Sequence, residues 1–266
     1  MKIQALKTRK VLPPKDEIWD LLDKISEEMK DEQIVAITSK IISIHEGRCV
    51  LKEDVSNKDI LIKQESQYYL PRRKAPRRHV IHTITQNSWV SSAGIDGSNA
   101  KDHWVLYPKD PFKSAKTIWE YLKGKSGVKN LGLIITDSHS QPLRGGATGF
   151  ALSYWGFEPL RSYIGKEDIF GHKLKVSRMD IASNLAAAAT FTMGEGREQT
   201  PIAIISDIEK QIEFTDKKPN VRLHMVGPDD KAEAADGDDR PDHHAVAEDV
   251  LAGVDGQQIR DEREGG

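Results

Sequence analysis

Leu131-Gly132-Leu133-Ile134-Ile135 runs directly into Thr136-Asp137-Ser138. The first five residues are an unbroken apolar, β-branched run and read as a buried strand from Leu131 to Ile135. An aspartate in the turn that follows such a strand is costly unless something positive meets it. A hard divalent cation is the natural partner, because Mg²⁺ and Mn²⁺ take oxygen ligands and commonly bridge the phosphates of a nucleotide. A second acidic turn, Gly94-Ile95-Asp96-Gly97-Ser98-Asn99, again sets an aspartate beside small polar side chains. Two separated aspartates, each flanked by a hydroxyl or an amide, suit metal and nucleotide binding better than a structural role.

Outward from this strand the chain alternates strands and helices. Ile18, Leu21, Leu22, Ile25 and Met29 carry helical spacing across Glu17 to Met29. Ile34 to Ile37 is a strand followed by Thr38-Ser39-Lys40, Asp59 to Tyr69 reads as a helix, and Val80 to Val90 as one long strand. Asp110-Pro111-Phe112-Lys113-Ser114 is a helix start whose helix runs to about Leu122. Met179 to Met193, with Ala182 and Ala186 to Ala189, is a buried helix, and Pro201 to Ser206 is the last strand. The class is α+β with mixed sheets and packed helices; there is no strict βαβ repeat and no internal repeat of fixed period.

Composition narrows the function classes. With 266 residues, a net charge of −2 and a pI of about 6.5, no overall field draws the chain to nucleic acid or membrane. No apolar stretch reaches the ~18 residues of a membrane span. Met1-Lys2-Ile3-Gln4 has no h-region or cleavage site. The single Cys49, among Arg48, Val50 and Leu51, packs rather than reacts, and fits a reducing cytoplasm. After Phe214 the composition shifts, and from Gly227 it is rich in Asp, Ala, Gly and Glu. A domain over residues 1–215 and a disordered acidic tail over 216–266 follow, with Val246 to Val254 as a short frayed helix.

Neither a P-loop nor a dinucleotide fingerprint is present. Thr38-Ser39-Lys40, straight off a strand, offers backbone N–H groups and an ammonium to a phosphate, or is a solvated turn. Arg144-Gly145-Gly146 with Gly149 is a flexible loop or a two-pronged anion contact with close backbone approach. Gly194-Glu195-Gly196 closes the Ala-rich helix as its cap, with Glu195 a possible third carboxylate for the metals. The basic run Pro71-Arg72-Arg73-Lys74-Ala75-Pro76-Arg77-Arg78 has no aromatic interleaving and reads as a solvated loop. No histidine pair has zinc spacing; His139 is the one nearest the expected chemistry.

In this order the segments resemble the coenzyme F-420-0:L-glutamate ligase family. The matching residues are Leu12-Pro13-Pro14, Thr38 to Ser43 with Glu46-Gly47-Arg48, Gly94-Ile95-Asp96 with Ser98-Asn99, Pro108-Lys109-Asp110-Pro111 with Ser114-Ala115, Thr136-Asp137-Ser138 with Pro142 and Arg144, Asp168 with Phe170-Gly171, and Leu185 to Ala188. They span Met1 to Phe214 and leave the acidic tail outside. The resemblance implies a two-lobed α+β ligase-type fold, often an intertwined homodimer. It also implies amide-bond formation driven by GTP, with Mg²⁺ or Mn²⁺ and a monovalent cation such as K⁺. Carried over by position, Asp96, Asp137, Ser138 and Glu195 would hold metal. Leu12, Pro13, Pro14, Lys15, Ser39, Lys40, Asn99 and the loop Met193-Gly194-Glu195-Gly196 would line the nucleotide. Lys40 and Arg144 would supply fixed positive charge to the reaction. Ser138 stands where the family has Thr, Ile44 where it often has Lys, Gly97 where it often has Glu, and His172 where it has Arg; Ser183 and Asn184 replace an acidic pair.

A free carboxylate needs activation before it forms an amide. The γ-phosphoryl group of GTP would pass to an acceptor carboxylate, and the amine of L-glutamate would displace it, a reaction that asks for positioning and charge neutralisation. The acceptor is coenzyme F-420-0 or folate: Tyr68 to Pro71, Ser138-His139 and Trp155 to Pro159 resemble a folate-associated branch. A non-catalytic nucleotide- or cofactor-binding paralogue, motivated by Ile44, and a nucleic-acid binder working through Arg72 to Arg78 are the other classes.

Overall fold

The computed structural model describes residues 1–74, 80–141, 144–208 and 211–220. In chain order the elements are β1 (Lys2–Leu6), α1 (Trp19–Glu28), β2 (Gln33–Thr38), α2 (Ser39–His45), β3 (Cys49–Leu51), α3 (Lys58–Glu65), β4 (Tyr68–Leu70), β5 (His82–Thr85), β6 (Ser88–Ser91), β7 (His103–Val105), α4 (Pro111–Ser126), β8 (Leu131–Ser140), β9 (Ala147–Trp155), β10 (Leu160–Ser162), β11 (Arg178–Asp180), α5 (Ile181–Met193) and β12 (Ile202–Ser206).

The apolar runs at β2, β8 and β12 build a five-stranded sheet in the order β1-β12-β2-β8-β9. Only β2 and β8 are parallel, in register from Gln33↔Leu131 to Thr38↔Thr136. Side chains alternate across a strand, so Val35 and Ile37 enter one core and Ile34 and Ala36 the other. The first core packs under Leu21, Leu22 and Ile25 of α1 and Ile118, Trp119 and Leu122 of α4. The second packs under Ala182, Ala186 and Ala189 of α5. Their short side chains let the helix approach the sheet closely: a Cβ added at Gly149 of β9 would lie 2.4 Å from Thr190 Oγ1. Helix limits follow local chemistry. Asp110 accepts from Lys113 N at 2.9 Å ahead of Pro111, and Asp180 accepts from Ser183 N at 2.9 Å. A smaller core of Ile62, Tyr69, Ile81, Ala93, Ile95 and Leu106 sits beside the main sheet, among α3 and the short strands β3 to β7.

Three expectations change. β8 does not end at Ile135 but continues to Ser140, pairing with β9 past an irregularity at Ile135/Thr136, so Asp137 and Ser138 lie within the strand. The helix at Asp59 stops at Glu65, because Tyr68–Leu70 is claimed by pairing with His82–Ile84, which buries Tyr69. The long strand at Val80 is a hairpin: Gln86 and Asn87 take φ of +52° and +57°, the two-residue turn that matches strand twist.

The chain after β12 returns to the body. Ile212 and Phe214 pack on the α5-side core, Thr215 N donates to Gly156 O at 3.0 Å, and Lys123 pairs with Asp216 at 2.6 Å. The acidic tail from 221 onward, with the Val246 to Val254 helix, lies outside the described residues, as do 75–79 of the basic run and 142–143. Within the described part of that run, Arg72 is committed to Asp59, with Nη2 to Oδ1 at 2.5 Å. Between β10 and β11 an arm projects, held by cross-bonds such as Gly165 N to Leu174 O (2.8 Å) and Asp168 N to His172 O (2.8 Å). Its tip leaves Ile169 92% and Phe170 77% exposed. Among the described residues no helix is long and apolar enough to cross a membrane.

Candidate active site

A cavity of about 520 Å³ opens at the carboxyl ends of the parallel pair β2 and β8, where open α/β sheets characteristically hold ligands. Thr38, Lys40, Ile41 and Ile44 form one side and Thr136, Asp137 and Ser138 the floor; the segments Thr8 to Pro13, Asp96 to Lys101 and Thr190 to Pro201 close it. The Asp96 turn and the Asp137 stretch of β8, far apart in the chain, therefore face one space.

The Asp96 turn is fixed from several directions. Asp96 exchanges backbone bonds with Val105, N to O at 3.1 Å and O from N at 2.8 Å. Its Oδ1 accepts from Ser98 N (2.8 Å) and its Oδ2 from Ser98 Oγ (2.6 Å). Lys40, one residue into α2, reaches Asp96 Oδ2 at 2.5 Å, Ser98 Oγ at 2.9 Å and Ser98 O at 3.0 Å. Lys58 Nζ donates to Ile95 O at 2.9 Å and Lys52 Nζ to Lys101 O at 3.1 Å. Burial works to raise the Asp96 carboxyl, but the hydrogen bonds from Lys40 and Ser98 outweigh it and hold Asp96 below its ordinary value. Burial lowers the Lys58 ammonium.

Asp137 sits in the opposite environment. Burial pushes its carboxyl up to about 6, and a hydrogen bond donated by the buried Tyr107 hydroxyl opposes that rise. Asp137 senses both Lys40, which lowers it, and Asp96, which raises it, as expected of groups sharing a site. Two carboxylates in one cavity with protons held at different pH is a pattern of functional sites. The loop after α5 ties the walls together: Ser138 Oγ donates to Glu195 Oε2 at 3.0 Å, and Asn99 Nδ2 to Gly196 O at 2.8 Å. Gly194 caps α5, its N–H on Thr190 O at 2.9 Å, and the Glu195 that follows it lines the cavity. The Thr8 to Pro13 wall is shaped by Arg9, whose guanidinium holds Asp20 (2.8 Å) and Asp16 (2.9 Å), while Asp16 also accepts from Leu12 N (2.9 Å).

Of the residues singled out in the sequence, Leu12, Pro13, Lys40, Asp96, Asn99, Asp137, Ser138, Met193, Gly194, Glu195 and Gly196 line this cavity. Pro14, Lys15, Ser39 and Arg144 do not. Ser39 is buried beneath the start of α2, and the Lys15 stem lies 3.7 Å from where a Cβ on Gly47 would be. Arg144 is exposed on the β8–β9 connection. Because β8 runs through Asp137 to Ser140, at about 3.3 Å per residue, that connection is carried beyond the cavity. Lys10, Lys101 and Arg197 line the cavity with Lys40 instead, a basic wall suited to a polyanion. His139 stacks edge-on to Phe150 at 4.8 Å and stays outside the lining. Tyr107, Thr190 and the Thr8 to Val11 wall carry no sequence signal, since their relevance comes only from what the fold sets beside them.

The donors suit a small hard cation. Asp96, Asp137, Ser138 and Glu195 offer oxygen alone, and Cys49 is far from a zinc arrangement. Among the described residues no three His, Cys, Asp or Glu side chains converge as a preformed metal cage. Mg²⁺ and Mn²⁺ do not require one, as they use one or two carboxylates and complete their shells with phosphate oxygens and water. The departures from the resembled pattern also acquire reasons. Ile44 is buried against Ala100 and Val105 and presents an apolar edge to the cavity. A Cβ on Gly97 would come 2.7 Å from the Trp104 ring, over which Lys58 and Lys52 sit at 4.3 and 4.9 Å. Trp155 and Phe157 fill the two cores and do not face the cavity.

The sequence model of the F420-0:Gamma-glutamyl ligase family matches residues 7–207. The chain is 31% identical over 192 residues to the coenzyme F420:L-glutamate ligase of Methanosarcina barkeri, covering 67% of this chain and 74% of that one. It is 32% identical over 197 residues to that of Methanosarcina acetivorans (68% and 76% covered). With that of Methanococcus maripaludis it shares 32% over 204 residues (71% and 82% covered). The match runs from the Thr8 wall through Asp96, Asp137 and Glu195 to the last strand of the sheet, and so takes in every segment that encloses the cavity. The chain belongs to the F420-0:gamma-glutamyl ligase family and is an acid–amino-acid ligase.

Proposed function

We propose that the chain joins the amine of L-glutamate to a free carboxylate of an F420-type deazaflavin cofactor, driven by GTP and dependent on Mg²⁺ or Mn²⁺, with K⁺ as a monovalent cofactor. The observation that carries this reading is that Asp96 and Asp137 face one cavity beside Lys40 and a basic wall. The acceptor class follows from the names of the relatives. Leu12, Pro13, Asn99 and the Met193 to Gly196 loop enclose the nucleotide. Lys40, with Lys10, Lys101 and Arg197, faces the triphosphate and offsets charge as the γ-phosphoryl group moves to the acceptor carboxylate. The glutamate amine then attacks the acyl carbon, the C–N bond forms, phosphate leaves with the C–O electron pair, and the amine proton passes to solvent. Asp96, Asp137, Ser138 and Glu195 would hold the divalent ion, which would supply positive charge to offset that of the phosphates. Arg144 is left to meet the outer part of a substrate rather than the phosphates.

The test is mass spectrometry of F420-0 and of folate, each incubated with the protein, GTP, Mn²⁺ and L-glutamate. A gain of one glutamyl residue on F420-0, abolished by EDTA or by omitting GTP, is expected. Gain on folate alone reassigns the acceptor, and turnover undiminished by EDTA removes the metal. Ile44 motivates the second reading, a paralogue that binds nucleotide without chemistry: its apolar edge lies on the wall beside Lys40. That reading predicts GTP binding with no product on either acceptor.

We further propose that the body on the main sheet and the smaller one around Ile62 and Ile95 are two lobes, that the protein is a homodimer, and that it works in a reducing cytoplasm, where the lone Cys49 stays a thiol. Support for the dimer is the arm tip, since Ile169 and Phe170 exposed together favour a covering surface. Phe170→Asp is expected to halve the mass measured by light scattering at micromolar concentration and to leave the monomer folded; an unchanged mass for the variant, or a monomeric wild type, rejects the arm as the contact.

A further inference from the structure

Tyr107 follows β7 and is used by nothing in the mechanism above, yet the fold restrains it on every side. Its ring is buried, 4% exposed. Its carbonyl accepts from Arg48 Nε at 3.0 Å, and Arg48 is itself paired with Glu65 at 2.5 Å. The face of the ring lies on Gly94, where a Cβ would be 2.0 Å from Cζ and 2.4 Å from each Cε. Bringing Gly94 there takes three successive left-handed residues, Ser92, Ala93 and Gly94, with φ of +55°, +54° and +70°. Two of them are not glycine, and such backbone persists only where its surroundings over-determine it. The one polar atom of the side chain is spent on Asp137 Oδ2. A single ring thus touches both acidic segments: it packs on the residue two before Asp96 and hydrogen-bonds the Asp137 carboxylate.

We propose that Tyr107 is a positioning residue that sets how Asp137 meets a cation, making it a one-oxygen ligand and so selecting small octahedral ions over Ca²⁺. The inference rests on the metal-dependent reading above. A donor hydrogen on Oδ2 takes up one side of that oxygen and disfavours capture of one ion by both oxygens, while the backbone N–H of Ser138 adds a second restraint on the carboxylate. Ca²⁺ accepts two-oxygen carboxylates in a loose, larger shell, whereas Mg²⁺ demands a near-ideal octahedron with short contacts, and the smaller all-oxygen octahedron also suits Mn²⁺. Groups that orient a ligand from behind alter metal affinity by ~10–100-fold when removed.

The experiment is Mn²⁺ titration followed by electron paramagnetic resonance, with GTP present and Ca²⁺ as competitor, on wild type and Tyr107→Phe. The variant keeps the ring on Gly94 and deletes only the hydroxyl. Mn²⁺ binding weaker by ~10–100-fold, with Ca²⁺ competing relatively better than in wild type, supports the proposal. Unchanged binding of both ions, or equal weakening of both, overturns it while leaving the metal-dependent reading standing. No Mn²⁺ bound by wild type overturns that reading and this inference with it. A second measurement needs no variant: in wild-type protein carrying ¹³Cζ-tyrosine, Mn²⁺ is expected to broaden one buried tyrosine signal that Ca²⁺ leaves sharp, and a full set of sharp signals at saturating Mn²⁺ overturns the proposal.

Discussion

Asp137→Asn is expected to lower ligation by at least ~10²–10³-fold and at the same time to make the metal-free protein more stable above pH 6. The first effect follows from the proposed role of Asp137, since asparagine lacks the charge to hold a cation against phosphate. The second follows from burial. In the folded chain Asp137 gives up its proton at about 6, against roughly 3.9 for an unfolded aspartate. Between those values the folded state binds more protons than the unfolded one. The stability of the wild type therefore falls as pH rises through that window, and the whole deficit is present above pH 6. Asparagine carries no charge to bury and can still accept from Tyr107. Its advantage should be absent near pH 4, grow towards pH 6 and then level at about 1–3 kcal/mol. Denaturation of both proteins in EDTA from pH 4 to 8 checks the sign; an advantage that grows on acidification would contradict this account. Saturating Mn²⁺ should erase the advantage, since wild type alone gains a ligand that favours its folded state.

Gly94→Ala should destabilise the protein by about 2–5 kcal/mol, combining the left-handed backbone with overpacking. At φ of +70° a Cβ is disfavoured even in open space, and here it would fall within the Tyr107 ring. Nothing flexible can yield, because Arg48 holds the Tyr107 carbonyl and Asp137 its hydroxyl. Relief requires the ring to shift, which moves the donor off Asp137, so Mn²⁺ affinity should fall along with the urea midpoint. A midpoint unchanged within 1 kcal/mol would show that the ring is not seated as described.

How much was legible in the sequence depends on whether a signal is local. Ile34 to Ile37, Leu131 to Ile135 and Ile202 to Ile205 are strands because unbroken apolar runs rich in isoleucine need cover on both faces, and the sheet gives them that. α4 and α5 announce themselves through Asp110-Pro111 and the alanine run. β9 does not: Ala147 to Trp155 mixes Gly, Thr and Ser among its apolar residues, and it is a strand because β8 supplies a paired edge. The length of β8 was hidden for the same reason, as Thr136 to Ser140 is polar and its strand form comes from pairing with β9. With β8 extended to Ser140, Arg144 lies on the β8–β9 connection outside the cavity lining. Within the site, Asp96, Asp137, Ser138, Lys40 and Asn99 were visible as polar groups in turns or at strand ends and Glu195 beside a helix cap, and family resemblance gave Ser138 and Glu195 their expected place at the metal. Tyr107 was not, because Leu106-Tyr107-Pro108 reads like any apolar lead into a helix.

The two jaws of the cavity are mounted differently. One is carried by α5, riveted to the sheet through Ala182, Ala186 and Ala189, contacts with no charge to screen. The other, Thr8 to Pro13, is strung on the exposed guanidinium of Arg9 between Asp16 and Asp20, and such pairs weaken as salt rises. Ionic strength therefore bears on the Arg9 pairs of this jaw and leaves the α5 packing untouched, while the bonds between Thr8 and Gln199 (3.1 and 2.5 Å) hinge the one upon the other.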